Sequence, residues 1–201
     1  MRSEPGGRTF TEQARRAQIV AAAIDVLAES GFGAASLAAI ADHIGVSKGV
    51  ISYYFAGKDR LLQEVVASVL ADAAAYMRPR VEAAPAGRPA LRAYVSSNLE
   101  FIDAHRREII ALIEIFNGAS PGRGVASPYA AGHRSAVDAV TRLLEAGQQA
   151  GDLGPFHPRF AAVALRAAID AVSELLREEP EADVLAYGSE LAALFERGLG
   201  A

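Results

Sequence analysis

The chain has 201 residues and a formal net charge of −4, and 51% of its residues are hydrophobic while 22% are charged. That composition allows an apolar core and argues against general disorder, and the length suits a small domain joined to a larger one. The chain has no cysteine, which excludes disulfides, thiolate metal ligands and cysteine nucleophiles.

Charge is distributed unevenly along the chain. Residues 1–60 hold seven basic and six acidic side chains, whereas residues 61–201 hold 13 basic and 18 acidic ones. The only two lysines, Lys48 and Lys58, both lie in the first part. The asymmetry permits nucleic-acid binding by the N-terminal part but is too mild to demonstrate it.

No targeting or membrane-spanning segment is expected. The opening residues MRSEPGGRTF contain no apolar stretch of the kind found in signal peptides. No uninterrupted apolar run approaches the roughly 20 residues that span a bilayer. We therefore expect a cytoplasmic protein with no membrane partner.

The first predicted helix follows a capping box. Thr9 and Glu12 are three residues apart and precede an apolar series at helical spacing. We expect this helix to end at Gly31, because glycine readily adopts the left-handed conformation that terminates helices.

Two short helices are predicted next. Ser36 is the N-cap of a helix over about 37–44, which Gly45 ends, and Ser47 caps a third helix over about 48–54.

A fourth helix begins near Lys58 and is expected to end at Pro79, because proline disrupts a helix interior. Further helices are predicted over about 90–104, 106–117, 127–150, 158–178 and 181–198, with linkers over 84–89, 121–128 and 151–158. No alternating strand pattern is present, so the expected class is all-α. We divide the chain into a three-helix head, residues 1–60, and a helical body, residues 61–201.

The segment LAAIADHIGVSKGVISYY, residues 37–54, has the pattern of a helix-turn-helix. Two short helices that cross steeply need a small residue at the contact, which Ala41 provides, and a sharp turn, which Gly45 allows. Apolar side chains that would fill the inside of the corner are Ile40, Ile44, Val46, Ile51 and Tyr54. An ordinary helical hairpin with a glycine turn is the alternative.

The segments RRAQIVAAAIDVLAESGFGAAS and SLAAIADHIGVSKGVISYYFAGKDRLL resemble the N-terminal motif of the tetracycline-repressor (TetR) family of bacterial regulators. The likeness is close over residues 14–64, and the Tyr-Tyr-Phe followed by a lysine and a leucine pair is not a general feature of helix-turn-helix proteins. The resemblance implies a homodimeric, DNA-binding transcriptional regulator, by the family's habit a repressor, that a small-molecule effector releases from a palindromic operator.

The same resemblance implies which side chains meet DNA. The third helix enters the major groove, with Lys48 and Ser52 at base edges or phosphates and Gly49 allowing close approach. The candidate DNA-binding residues are Ser36, Ser47, Lys48, Gly49, Ser52, Tyr53, Tyr54 and Lys58. Lys58 is expected to bind a phosphate, Tyr54 is either a core residue or a phosphate donor, and Arg16 contacts DNA or forms a structural ion pair.

The last two predicted helices are suited to dimerisation. FAAVALRAAIDAVSELL carries an apolar stripe with small residues, and Leu185, Leu191, Leu194 and Phe195 follow in the last helix. Two helices from each subunit would form a four-helix interface. The alternative is that these faces pack only on their own body.

The middle of the body is the predicted effector site, for a small apolar or amphipathic molecule. The candidates are Tyr94, Asn98, Phe101, Ile109, Leu112, Ile113, Phe116, Asn117, Tyr129, His133, Arg166 and Asp170. Rings and aliphatic groups with a few polar atoms are typical of ligand sites, and equally of cores. Arg166 and Asp170 can pair within one helix, whereas Glu114 lies either toward solvent or toward a cavity.

Two other functions compete with that of a regulator. An enzyme is disfavoured because no metalloprotease HExxH, nucleophile elbow or phosphate-binding glycine loop is present, and four scattered histidines suggest no metal. We therefore expect no catalytic residue, metal or cofactor. The second alternative is a helical small-molecule-binding protein without DNA binding, which the lysines and tyrosines of the head disfavour.

Overall fold

The computed structural model describes residues 10–118 and 126–200, with side chains omitted for residues 126–129. Its helices are α1 (Phe10–Ala34), α2 (Leu37–His43), α3 (Lys48–Tyr54), α4 (Lys58–Glu82), α5 (Arg88–Ala104), α6 (Arg106–Gly118), α7 (Ala126–Gln149), α8 (Pro158–Glu178) and α9 (Val184–Leu199). No strand occurs within these ranges. The all-α prediction is confirmed.

The head is built from α1, α2 and α3, which pack around one apolar centre. Ile40, Ala41 and Ile51 are fully or almost fully buried, while Ile44 and Val46 are half-buried against the same core. Gly45 has φ +68°, the left-handed conformation that the sharp turn between α2 and α3 requires. The predicted corner of the helix-turn-helix is therefore present.

The prediction that the first helix ends at Gly31 is only partly right. Gly31 has φ +76° and breaks the helical geometry, but a further helical turn continues to Ala34. The break turns the chain toward α2, whose N-cap Ser36 accepts a hydrogen bond from the amide of Ala39 at 3.1 Å. The predicted cap at Thr9 lies outside the described residues.

The fourth helix does not end at Pro79 as predicted. It continues to Glu82, and Pro79 lies within it while its carbonyl accepts from the amide of Ala83. Proline removes one amide donor, but an exposed last turn tolerates that loss. Of the later helices, α8 has its predicted bounds, whereas α9 begins at Val184, three residues later than expected. Most of the linker predicted over 121–128 lies outside the described residues.

The body packs α5 to α9 against the C-terminal part of α4. Its centre contains Leu91, Leu99, Ile115, Leu165 and Ile169, each almost fully buried. Burial of each such side chain contributes about 1.5–3 kcal/mol. Because α4 runs from the head into the body without a break, the two parts share one rigid helix.

Of the helices that the structure describes, α1 alone is long and apolar enough to cross a membrane by length and composition. Its apolar face, which includes Ile19, Ala23 and Leu27, is buried inside the head. Its Asp25 and Glu29 both pair with Arg107 of α6. These contacts are those of a core helix.

Candidate nucleic-acid interface and internal cavity

One edge of the head, formed by the start of α2 and by α3, presents polar side chains to solvent. Ser36, Ser47, Lys48 and Ser52 are exposed, and so is the backbone at Gly49. Tyr53, with 81% of its surface exposed, is among the most exposed large side chains described. We call this set, from Ser36 to Tyr53, the recognition edge. An amine, hydroxyls and a phenol on a short helix form a surface that can meet phosphates and base edges.

The N-cap side chain of α3 differs from the prediction in one detail. Ser47 occupies the N-cap position with extended backbone angles, but its side chain makes no capping hydrogen bond. Its hydroxyl is therefore not used inside the helix. A Cβ added at Gly49 would meet nothing closer than the Ser47 Oγ at 3.6 Å, so packing inside the head does not require glycine there.

Arg16 is a structural residue of the head. Its Nη1 donates to the carbonyl of Tyr54 at 2.5 Å, and its Nη2 lies 3.0 Å from Glu64 of α4. The guanidinium stacks 4.2 Å from the ring centre of Phe55. The sequence left open whether Arg16 contacts DNA or forms a structural ion pair, and the ion pair with Glu64 is present. The Tyr54 ring, half-buried against the core, packs edge-on with Tyr53 at 5.1 Å.

Lys58 and Glu114 hold the backbone of Phe32 from opposite sides. The Lys58 ammonium donates to the Phe32 carbonyl at 2.8 Å and lies 4.1 Å from the centre of its ring. The Phe32 amide donates to Glu114 Oε2 at 3.0 Å. This arrangement, which we call the Phe32 clamp, joins the start of α4 and the middle of α6 to the last turn of α1. Glu114, expected either toward solvent or toward a cavity, is instead half-buried at the contact with α1 and does not line the cavity.

A cavity of about 240 Å³ lies inside the body between α4, α5, α6 and α8. Nine of the twelve candidate effector residues line it: Asn98, Phe101, Ile109, Leu112, Ile113, Phe116, Asn117, Arg166 and Asp170. The sequence had not singled out Val69, Leu70, Ala73, Ser173 and Glu174, which also line it. Their i, i+3 and i+4 spacing places the residues of each helix on one face, but that spacing does not identify the lining until the facing helices are known.

Of the three other candidates, two are described and do not line the cavity. The Tyr94 hydroxyl accepts from Arg166 Nη1 at 3.0 Å and thus contacts a lining residue. His133 Nδ1 lies 3.3 Å from Asp170, so this histidine also touches a lining residue without reaching the cavity. The side chain of Tyr129 is outside the described residues.

A buried polar cluster forms one end of the cavity. Arg166 has 13% of its side chain exposed; Nη1 also donates to Asn98 Oδ1 at 3.2 Å, and Nη2 pairs with Asp170. The predicted Arg166–Asp170 pair is thus present. Burial alone would lower the pKa of Arg166, but the nearby oxygens of Tyr94 and Asp170 raise it above its ordinary value. The guanidinium is therefore charged at any physiological pH.

The outer faces of α8 and α9 carry apolar groups in contact with solvent. Phe160 is 71% exposed, Leu194 is 58% exposed, and Val163 and Leu185 are about half exposed. The alanines at 164, 167 and 171 are exposed along α8. Leu191, by contrast, is 6% exposed and packs in its own body. Among the residues described, no group of three or more histidine, aspartate or glutamate side chains could hold a metal ion.

The fold and the recognition edge define a helix-turn-helix protein with a helical body. Residues 19–65 match the family described as bacterial regulatory proteins, tetR family. The HTH-type transcriptional regulator BetI of Burkholderia thailandensis is 39% identical over 87 residues, which are 43% of this chain and 45% of BetI. The match to such curated relatives thus spans less than half of their length.

Solved structures extend the likeness to almost the whole chain. A bacterial regulatory protein in the tetR family from Rhodococcus RHA1 has a TM-score of 0.78 and 26% identity, over 92% of this chain and 97% of that one. The transcriptional regulator FadR from Bacillus subtilis, solved with stearoyl-CoA, has a TM-score of 0.80 at 19% identity, over 91% and 98%, and shows likeness of fold. Residues 19–65 thus carry the motif of the tetR family, and almost the whole chain is similar in fold to a solved regulator of that family.

Proposed function

We propose that this chain is a DNA-binding transcriptional regulator, a cytoplasmic repressor that binds a palindromic operator as a homodimer and is released by a small-molecule effector. The observation that carries the proposal is the recognition edge. Its polar groups are exposed on a short helix, while Arg16 and the apolar corner hold that helix rigidly from behind. Residues 1–60 supply DNA binding, and residues 61–201 supply the effector site and the dimer contact.

Selection of bound sequences from a random DNA pool tests this function. We expect an inverted repeat, because each head of a two-fold dimer reads one half-site. The affinity for that sequence should fall steeply with salt, because phosphate contacts release counterions. Absence of any enriched sequence, with weak and salt-independent binding, would favour a ligand carrier without DNA binding.

The Lys58→Ala variant, measured in the same DNA-binding experiment, distinguishes a phosphate contact of Lys58 from a purely structural role in the Phe32 clamp. We propose that the ammonium binds a phosphate while it holds the Phe32 carbonyl. We expect affinity to fall about tenfold for all sequences alike, and the salt dependence to become shallower by about one phosphate per head. Ser52→Ala should instead change base preference. If Lys58→Ala lowers affinity with an unchanged salt dependence, Lys58 acts only on the fold.

The proposed dimer uses the outer faces of α8 and α9. Exposed aromatic and aliphatic groups together with alanines allow helices of two subunits to approach closely. Leu191 is buried in the core of its own subunit, so it does not belong to the proposed interface, and Phe195 is half-buried against the same core.

Ala167→Glu tests this dimer, because Ala167 is exposed in the single chain and a glutamate there should not disturb folding. We expect the dimer dissociation constant to rise about 100-fold, since two carboxylates would be buried at the interface. Sedimentation equilibrium measures the effect, and Ala71→Glu, an equally exposed alanine on α4, is the matched control. Equal dissociation constants for the two variants would place the interface elsewhere.

The cavity in the body is the proposed effector site. Its volume of about 240 Å³ lies near the lower limit of ligand pockets, which favours a small effector. A bound effector would favour a body conformation that shifts α4, which lines both the cavity and the junction with the head.

A further inference from the structure

The cavity has two chemically different walls. Leu70 of α4, Phe101 of α5 and Ile113 of α6 belong to an apolar wall. The other wall is one face of α8, on which Arg166, Asp170, Ser173 and Glu174 follow at helical spacing. A ligand that fills this space meets hydrocarbon on one side and polar groups on the other, so it is amphipathic.

The charged groups that line the cavity already have partners of opposite sign. Arg166 pairs with Asp170, and Glu174 pairs with Arg177 through two nitrogens at 2.5 and 2.8 Å. An ionised ligand would therefore bring a charge into the body without an available countercharge. Burial of an unpaired ion is strongly unfavourable compared with burial of a neutral polar group.

Two hydrogen-bond donors remain at the buried end of the cavity. Arg166 Nε is buried and has no hydrogen-bond partner among the described residues, although the other two nitrogens of the guanidinium are bonded. Asn98, 8% exposed, uses its amide nitrogen in only one long contact of 3.3 Å to the carbonyl of Tyr94. A buried donor left without an acceptor is destabilising, so this end favours a ligand oxygen.

We infer that the effector is a small uncharged molecule with an apolar body and an oxygen acceptor, such as a ketone, ester, lactone or amide. Its oxygen accepts from Arg166 Nε, with Asn98 beside it, and its hydrocarbon part lies against α4, α5 and α6. This inference rests on the proposed role of the cavity as the effector site. The inference specifies two further properties of the effector, namely that it is uncharged and that its polar group is an oxygen acceptor.

Three probes with eight carbons distinguish the possibilities: octan-2-one, octanoate and octylammonium. Titration calorimetry of the full chain without DNA gives their affinities. We expect octan-2-one to bind at least about tenfold more tightly than either ion, because the ions bury an unpaired charge. Equal or tighter binding of either ion, or no binding of octan-2-one, overturns the inference.

Arg166→Lys tests the assigned contact. Lysine retains a positive charge for Asp170 but lacks the Nε donor, so we expect about tenfold weaker binding of octan-2-one. Arg159→Lys is the matched control, because it makes the same exchange on the same helix at an exposed position whose partner, Asp138, does not line the cavity. If both variants bind octan-2-one as the wild type does, the assignment of Arg166 is wrong. Binding of selected DNA by the ligand-free protein is measured separately, so a failure of the ligand class is distinguishable from a failure of the regulator function.

Discussion

Lys48→Glu is expected to lower the affinity of the protein for its selected DNA sequence by about 100-fold or more. Lys48 is the first residue of α3, it is exposed, and it is the one lysine of the recognition edge. Loss of a base-edge or phosphate contact costs about 1–3 kcal/mol per head, and a dimer carries the substitution twice. The reversed charge adds repulsion from the phosphates.

The measurement is an equilibrium DNA-binding titration at two salt concentrations. Arg142→Glu makes the same change in net charge on α7 of the body, at an exposed position. We expect the control to lower affinity only slightly, because exposed charges far from DNA are screened by salt. If Lys48→Glu and Arg142→Glu weaken binding equally, the recognition edge does not meet DNA.

Local sequence signals predicted the helices of the head well. The bounds of α3 agree with the prediction at both ends, because a serine before it and a glycine turn ahead of it fix its start within a few residues. The alanine at the helix crossing and the apolar residues of the corner are also where the spacing placed them. Such features depend on neighbours within about one helical turn, so a single sequence contains them.

Side-chain partners are less predictable from the same signals. Ser47 has the residue type and the backbone angles of an N-cap, yet its hydroxyl makes no capping bond. Pro79 was expected to end α4, but an exposed last turn tolerates it. In both cases the residue type restricts the local backbone but leaves more than one geometry allowed. Small energy differences then decide whether the Ser47 hydroxyl caps α3 and where α4 ends.

Contacts between distant parts of the chain were not predictable. Glu114 and Phe32 are 82 positions apart, and no periodicity in either helix indicates that they meet. The cavity shows the same limit: the candidate residues of α5 and α6 other than Tyr94 line it, and so do Arg166 and Asp170 of α8. The contribution of α4 was not predicted, because it depends on how the helices pack. A ligand site between helices is a property of tertiary packing.

Glu114→Ala is expected to lower the free energy of unfolding by about 2 kcal/mol, because it leaves the Phe32 amide without its charged acceptor in a partly buried junction. For a chain of this size that loss corresponds to a decrease in melting temperature of roughly 4–8 °C. Hydrogen exchange at the Phe32 amide should become faster at the same time.

Two further variants identify the cause of that loss. Glu114→Gln keeps an oxygen that can accept from Phe32, so about half of the stability or more should be retained. Glu108→Ala removes a half-buried carboxylate from the same helix, and its effect should be much smaller. If Glu108→Ala is as destabilising as Glu114→Ala, the hydrogen bond to Phe32 contributes nothing specific.

The Phe32 clamp also bears on how the body affects the head. Ile113 and Phe116 line the cavity, and Glu114 lies between them on α6. A displacement of α6 by a ligand would therefore reach the last turn of α1 directly, through the Phe32 amide. The carbonyl of the same residue is held by Lys58 at the start of α4, the helix proposed to shift. Because α4 and α6, two of the four helices that line the cavity, both contact Phe32 of the head, a shift of either helix would change the position of α1 relative to the recognition edge.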